Sequence, residues 1–281
     1  MSRLKKNSYC LVQSNLDRID PEALKVAFRA VGELVDNDAH ILSADAFGIL
    51  ADGLEVQTAR SVASELGRAG ISVEVVHEGQ IPTLPAPHRL RRCECSREVF
   101  MATDSLGREV SWDWSKVLLI SVGMVPFREA KRIVRPRYKS RLGGFLGGRI
   151  PMGFGVIGAF GAAAAPEREV SIRYKRESRG LLDIFVDCQP YRYRIRADKF
   201  NFSYLGERRG RKSLENFVQL VNDLTSYARG AALNRGAVAI REDGLEATFA
   251  YPSRHAFEEE TIWLLYKFGL SRGQPWPWMH T

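Results

Sequence analysis

The chain lacks the patterns by which the common chemistries announce themselves. It holds no Walker loop, Rossmann fingerprint, zinc-protease helix or nucleophile elbow. No apolar run follows Arg3, Lys5 and Lys6: the stretch from Ser8 to Leu16 is broken by Gln13, Ser14 and Asn15. A secretory signal needs roughly 7–15 apolar residues there, so none is read. Cysteine is scarce. Cys10, Cys93, Cys95 and Cys188 lie in apolar, strand-like contexts rather than a spaced framework, which reads as reduced, buried thiols of a cytoplasmic protein. Cys93 and Cys95 leave one residue between them where zinc pairs use two to four, and no second pair follows, so no metal is expected. His40, His77, His88, His255 and His280 show no partner spacing. Glu258, Glu259 and Glu260 are consecutive, fan around a helix and read as a solvated face. The expectation is a protein that is not an enzyme and carries no cofactor; the alternative is a catalytic site assembled from scattered residues.

What is present is ordinary globular composition, 45% apolar and 26% charged over 281 residues. That length buries a core without staples and favours two domains. Charge is uneven. Residues 1–84 hold eight Lys/Arg against twelve Asp/Glu, a net −4, so the remainder carries +12 to give the chain's +8. Such asymmetry directs the second half toward an anionic partner, or toward the acidic first half; the plain alternative is solvated charge.

The first half reads as alternating strands and helices. Ser8–Gln13 is strand-like, and Asp20-Pro21 joins a capping side chain to a proline at the first helical position. Leu24, Ala27, Phe28, Val31 and Leu34 then share a helical face. Ile41-Leu42 and Ala46–Ala51 form two further strands. A second helix runs from about Glu55, with Ala59, Val62, Ala63 and Leu66 inward, and stops at Gly70. Ile71, Val73 and Val75 alternate in a last strand. The order β-α-β-β-α-β predicts an α+β class with a ferredoxin-like domain over 1–80. RNA-binding domains share that order, but the strand Ala46-Phe47-Gly48-Ile49-Leu50 lacks the basic residue and second aromatic of their signature, and the region is acidic. Phe47 is assigned to the core.

Pro82, Pro85 and Pro87 stiffen residues 79–89, and a linker is placed at 81–89. A β-rich domain is expected over 90–281. Val117–Val125 is a long apolar strand; Val170, Ile172 and Tyr174, and then Leu182, Ile184 and Val186, alternate with polar neighbours. Tyr191, Tyr193 and Ile195 alternate with Arg192, Arg194 and Arg196, which predicts aromatics inward and arginines in solvent. Ser213 is placed as the cap of a helix through Leu214, Phe217, Val218, Val221 and Leu224. Asp243-Gly244 is read as a hairpin turn between Val238–Ile240 and Leu245–Phe249, and Ser253 as the cap of the last helix.

The run Asp104-Ser105-Leu106-Gly107-Arg108-Glu109-Val110-Ser111-Trp112-Asp113-Trp114-Ser115-Lys116-Val117-Leu118-Leu119-Ile120 puts a hairpin turn before two tryptophans and an apolar strand. It resembles the bacterial pleckstrin-homology-like (PH/GRAM-like) modules, and the resemblance would cover residues about 89–229. It implies an antiparallel β-barrel or sheet plugged by the helix after Ser213, and makes lipid or phosphoinositide binding coherent. The chain departs from that pattern by a long insertion at 125–166 and by the elements after the plugging helix.

That insertion is the least ordinary stretch. Arg128, Lys131, Arg132, Arg135, Arg137, Lys139, Arg141 and Arg149 face one acid, Glu129. The chain then turns apolar and glycine-rich from Leu142 to Ala165. Arg149 and Pro151 interrupt it, so a spanning helix of about 20 residues is not expected. Two readings compete: a basic stem with an apolar tip that docks on anionic lipid, or a surface loop without specific role. The tail Trp276-Pro277-Trp278 either fills a groove or frays. The reading reached is a binding or scaffolding protein of the cytoplasm, peripheral to a membrane. Its partner is an anionic membrane surface or an acidic protein, contacted through those eight cations, with nucleic-acid binding and an undetected enzyme as the alternatives.

Overall fold

A computed structural model describes residues 8–17, 19–31, 48–104, 106–136, 168–187, 190–247 and 249–271. The chain divides into two compact units, one formed by residues 1–126 with 178–281 and the other by 127–177. The linker expected at 81–89 therefore falls inside the first unit. Pro87 already opens a strand there.

The first unit begins with β1 (Tyr9–Gln13), α1 (Pro21–Ala30), β2 (Ile49–Leu54), α2 (Val56–Arg68) and β3 (Val73–His77). Local chemistry sets these elements. Asp20 accepts from the Glu22 amide while Pro21 occupies the first helical position. Gly70 follows α2 at φ 78°, the left-handed position that ends a helix cheaply only for glycine. The sheet order is β2-β1-β3, with β1 antiparallel to both neighbours. One sheet face buries Leu11 and Leu50 against Leu24, Ala27 and Phe28 of α1 and Ala59, Val62 and Leu66 of α2. The second strand expected at 41–42, and Ala46 and Phe47, lie outside the described residues.

A seven-stranded sheet follows. It comprises β4 (Pro87–Cys95), β5 (Val99–Asp104), β6 (Glu109–Asp113), β7 (Val117–Pro136), β8 (Arg168–Asp187), β9 (Pro190–Arg196) and the two-residue β10 (Ala232–Leu233), in the order β10-β7-β8-β9-β4-β5-β6. It is mixed rather than wholly antiparallel, since β4 runs parallel to β9 and β10 parallel to β7. A strand that arrives by an extended proline-rich connection is not held to the direction a hairpin imposes. Asp104 accepts from the Leu106 and Arg108 amides and Gly107 takes φ 80°, which makes the expected tight turn into β6. Trp112 of β6 donates to the Tyr193 hydroxyl of β9 at 3.0 Å although β5 and β4 lie between them in the ladder, so the sheet is strongly curled. Its concave face is filled by α3 (Ser213–Tyr227), whose Phe217, Leu220, Val221 and Leu224 meet Leu182, Ile184, Tyr193 and Ile195.

Two elements differ from what the sequence predicts. Ser213 does not cap α3; its hydroxyl donates to the Ala197 carbonyl, and Lys212 holds the cap position without a side-chain bond. Residues Val238–Ile240 are not a strand. They belong to α4 (Arg235–Asp243), started by Asn234, whose side chain accepts from the Ala237 amide, and ended by Gly244 at φ 61°. Asp243-Gly244 thus closes a helix, because the same left-handed glycine serves a helix end as readily as a hairpin.

The last helix, α5 (Arg254–Ser271), starts as expected at Ser253, whose hydroxyl accepts from the Ala256 amide. It lies between the two sheets. Leu265 sits with Leu118, Leu119 and Phe185 of the large sheet, while Trp263 sits with Cys10, Val12, Ile49 and Val76 on the second face of the small one. Ser121 of β7 and Thr261 share a hydrogen bond of 2.8 Å, and Lys267 reaches Glu74 of β3 at 2.6 Å. A helix covered from two sides buries residues on more than one face, and here those include polar Thr261 and Glu260 beside Phe257, Trp263 and Leu265. Trp263 is 8% exposed and donates to the Gln13 carbonyl at 2.7 Å. A methyl group on Gly48, which stands at φ 80°, would come within 2.5 Å of the Trp263 Cβ.

Trp263→Ala is expected to cost about 3–5 kcal/mol, and Trp263→Phe, which keeps most of the packing, about 1 kcal/mol. Gly48→Ala should destabilise as well, through both the clash and the left-handed backbone. Urea unfolding of the three variants checks this ranking. Equal losses for Trp263→Ala and Trp263→Phe would show that packing at this joint is not what holds it.

Candidate functional site

The alternation of β9 directs Tyr193 and Ile195 toward α3, as expected, and Arg192 and Arg194 to the opposite face. That face is not solvent: α5 covers it. The side chains of Arg192 and Arg194 are 3% and 7% exposed, and Asp183, on the neighbouring strand β8, is fully buried. The Asp183 carboxylate accepts from Arg192 Nε and Nη2 at 2.9 and 2.7 Å, and from Arg194 Nε and Nη2 at 2.7 Å each. Glu258, on the first turns of α5, accepts from the Nη2 of both arginines at 2.8 Å and from Arg254 at 3.0 Å. Arg196 sits at the rim, paired with Asp198. The arginines predicted in solvent are thus the centre of a buried charge cluster, and Glu258 is a partner rather than a solvated acid.

Partial burial works to raise the Glu258 carboxyl. Hydrogen bonds from Arg194, Arg192 and Arg254 outweigh it and hold the group at about 2, below the ordinary 4.5. Burial likewise works to lower Arg194, but its bonds to Asp183 and Glu258 raise it. These groups stay ionised and their charges are spent on one another. The cluster locks α5 against β8 and β9 and offers little to a ligand.

Glu260 is buried too, contrary to the solvated reading. Its carboxylate accepts from the Arg235 amide, from Arg235 Nε and Nη2, and from the Tyr251 hydroxyl at 2.9 Å. Burial, and then Glu260, push the Tyr251 hydroxyl well above its ordinary value. Asn234 completes the group: Nδ2 donates to Tyr251 Oη and the Val122 carbonyl, and Oδ1 accepts from the Val122 amide. This second cluster fastens the start of α4 to α5 and β7.

Other candidate chemistry is sparse. Cys10 and Cys93 are buried free thiols, and burial lifts Cys10 to about 12. The Cys93 thiol is raised first by its hydrogen bond with Cys95 and then by burial. Both are poor nucleophiles. Cys188 lies outside the described residues. Among the described residues, no group of three or more His, Cys, Asp or Glu could hold a metal ion.

Of the eight cations singled out in the sequence, Arg128, Lys131, Arg132 and Arg135 fall on the last ten residues of β7. Arg137, Lys139, Arg141 and Arg149 lie outside the described residues, as do 142–167 and the tryptophans of the tail. The structure makes 127–177 a unit of its own, and counting by units sharpens the charge pattern. Residues 127–177 hold twelve Lys/Arg and four Asp/Glu; the rest of the chain holds twenty-nine of each. The second unit carries the entire net charge of +8.

No family model matches the chain, and neither does any curated protein or solved structure.

The depressed Glu258 carboxyl carries a pH signature. Its folded value lies below its unfolded one, so it stabilises the fold above about pH 4.5, and this contribution is lost as pH falls through about 2. The full difference is worth about 3 kcal/mol. Glu258→Gln should flatten this part of the acid limb, and Asp183→Asn should cost about 3–5 kcal/mol at neutral pH by leaving two buried guanidinium groups short of a countercharge. Denaturant midpoints between pH 2 and 7 measure both. An unchanged acid limb in Glu258→Gln would remove the cluster from the account of stability.

Proposed function

We propose that the chain is a non-catalytic binding protein that docks on an anionic membrane surface through residues 125–166 and the basic strands that flank them. The observation that carries this reading is the partition of charge: an electrically balanced first unit joined to a second holding all of the +8. Each Lys or Arg near an anionic leaflet contributes about 1 kcal/mol, so a cluster of this size suffices for peripheral attachment at the cytoplasmic face. From Leu142 to Ala165 the sequence has one charged residue, Arg149. Apolar sequence between cationic flanks suits the boundary of headgroup and acyl chain better than it suits a polyanion dissolved in water. Among the described residues no helix is long and apolar enough to cross a membrane.

Two finer assignments accompany this reading. The order β2-β1-β3, with α1 and α2 on one face, is what a ferredoxin-like sandwich presents from its first, third and fourth strands. The curled sheet, the turn at Asp104, Trp112 before β7 and α3 in the concavity support a pleckstrin-homology-like module.

Co-sedimentation with vesicles tests the proposal. The chain is expected to bind mixed phosphatidylserine–phosphatidylcholine vesicles, to ignore phosphatidylcholine alone, and to release as salt rises. Equal binding to both lipids, or to neither, would end it. Tighter binding to nucleic acid with a steep log–log salt slope would replace the partner.

A further inference from the structure

Within the balanced first unit, positive charge is also concentrated at one place. Arg91 of β4, Lys199 after β9, and Arg209, Arg211 and Lys212 ahead of α3 are all exposed. Two hydrogen bonds gather these separate stretches: the Asn201 amide donates to the Arg91 carbonyl at 2.8 Å, and the Ser213 hydroxyl donates to the Ala197 carbonyl at 3.2 Å. Among the described residues, Arg91, Lys199, Arg209 and Arg211 have no carboxylate partner, and Lys212 has only Glu215 at 3.5 Å.

The surface is firmly built. Phe200, Phe202 and Leu205 anchor the connection in the core. Arg208 is tied to Asp223 by two bonds of 2.9 Å, and the Asn216 side chain both accepts from the Gly210 amide and donates to its carbonyl. The charge placement works against stability, since cations are disfavoured beside the positive end of a helix. Ser213, a good capping residue, is turned to Ala197 instead. An anion against this surface would relieve that conflict.

We propose that these five cations form a second footing of the chain on anionic bilayer headgroups. The choice of a bilayer rests on the membrane reading above. It is supported by the surface itself, because Phe200 and Phe202, the aromatics nearest Lys199, are turned into the core and present no face on which a base could stack.

The full chain is compared with two variants on phosphatidylserine–phosphatidylcholine vesicles: Arg209→Gln/Arg211→Gln/Lys212→Gln, and Arg128→Gln/Lys131→Gln/Arg132→Gln/Arg135→Gln. The triple variant should partition about a hundredfold more weakly, roughly fivefold for each cation removed near the leaflet, with its thermal midpoint unchanged or slightly raised. If it binds like the parent while the quadruple variant does not, the second footing is wrong and the membrane reading stands. If the triple variant alone loses binding, the footing stands and the role given to 125–166 falls. A parent chain that ignores acidic vesicles overturns both. A triple variant that loses single-stranded RNA but keeps its vesicle binding overturns the bilayer as partner.

Discussion

The first unit depends on one buried carboxylate. Asp183 is fully covered and charged groups bind it from β9, so its position in β8 determines which face of β9 must carry arginine. Two guanidinium groups against one carboxylate leave an excess of positive charge in a low-dielectric layer, and Glu258 arrives from α5 to offset it. Removing any member leaves an uncompensated buried charge, which costs far more than the intact cluster contributes. Sheet register and the docking of the last helix are therefore coupled by electrostatics rather than by apolar packing alone.

That coupling gives α5 its place in the architecture. The helix contacts the small sheet through Trp263, the large sheet through Leu265, and β3 through Lys267. A segment that begins more than 160 residues after β4 opens thus completes the cover of strands formed much earlier in the chain. The glutamate at 260 performs a similar task at the other end of the interface, where it collects Arg235 and Tyr251. The first unit is balanced because it holds as many acids as bases, and its buried cations Arg192 and Arg194 are answered by Asp183 and Glu258. The cations of 127–177 outnumber local acids three to one.

Much of the local structure was legible in the residues. Asp20-Pro21, Ser253, Gly70 and the Asp104–Gly107 turn act where their own chemistry puts them, because a cap or a left-handed glycine needs only its immediate neighbours. The apolar faces of α1, α2 and α3 were equally plain. Asp243-Gly244 was not decided locally, since helix end and hairpin turn use the same backbone geometry. Ser213 lost its capping role to the carbonyl of Ala197, sixteen residues earlier.

By itself the sequence determined an α+β class, the helix ends at Asp20, Gly70 and Ser253, the inward face of β9 and the uneven distribution of charge, all of which follow from spacing and composition. Only the tertiary structure decided that Arg192, Arg194, Glu258 and Glu260 are interior residues. Alternation tells which side of a strand a charge occupies, but not whether another element covers that side. The cover here is a helix more than 50 residues away, and its place between the two sheets is set by what surrounds it rather than by a pattern within β9.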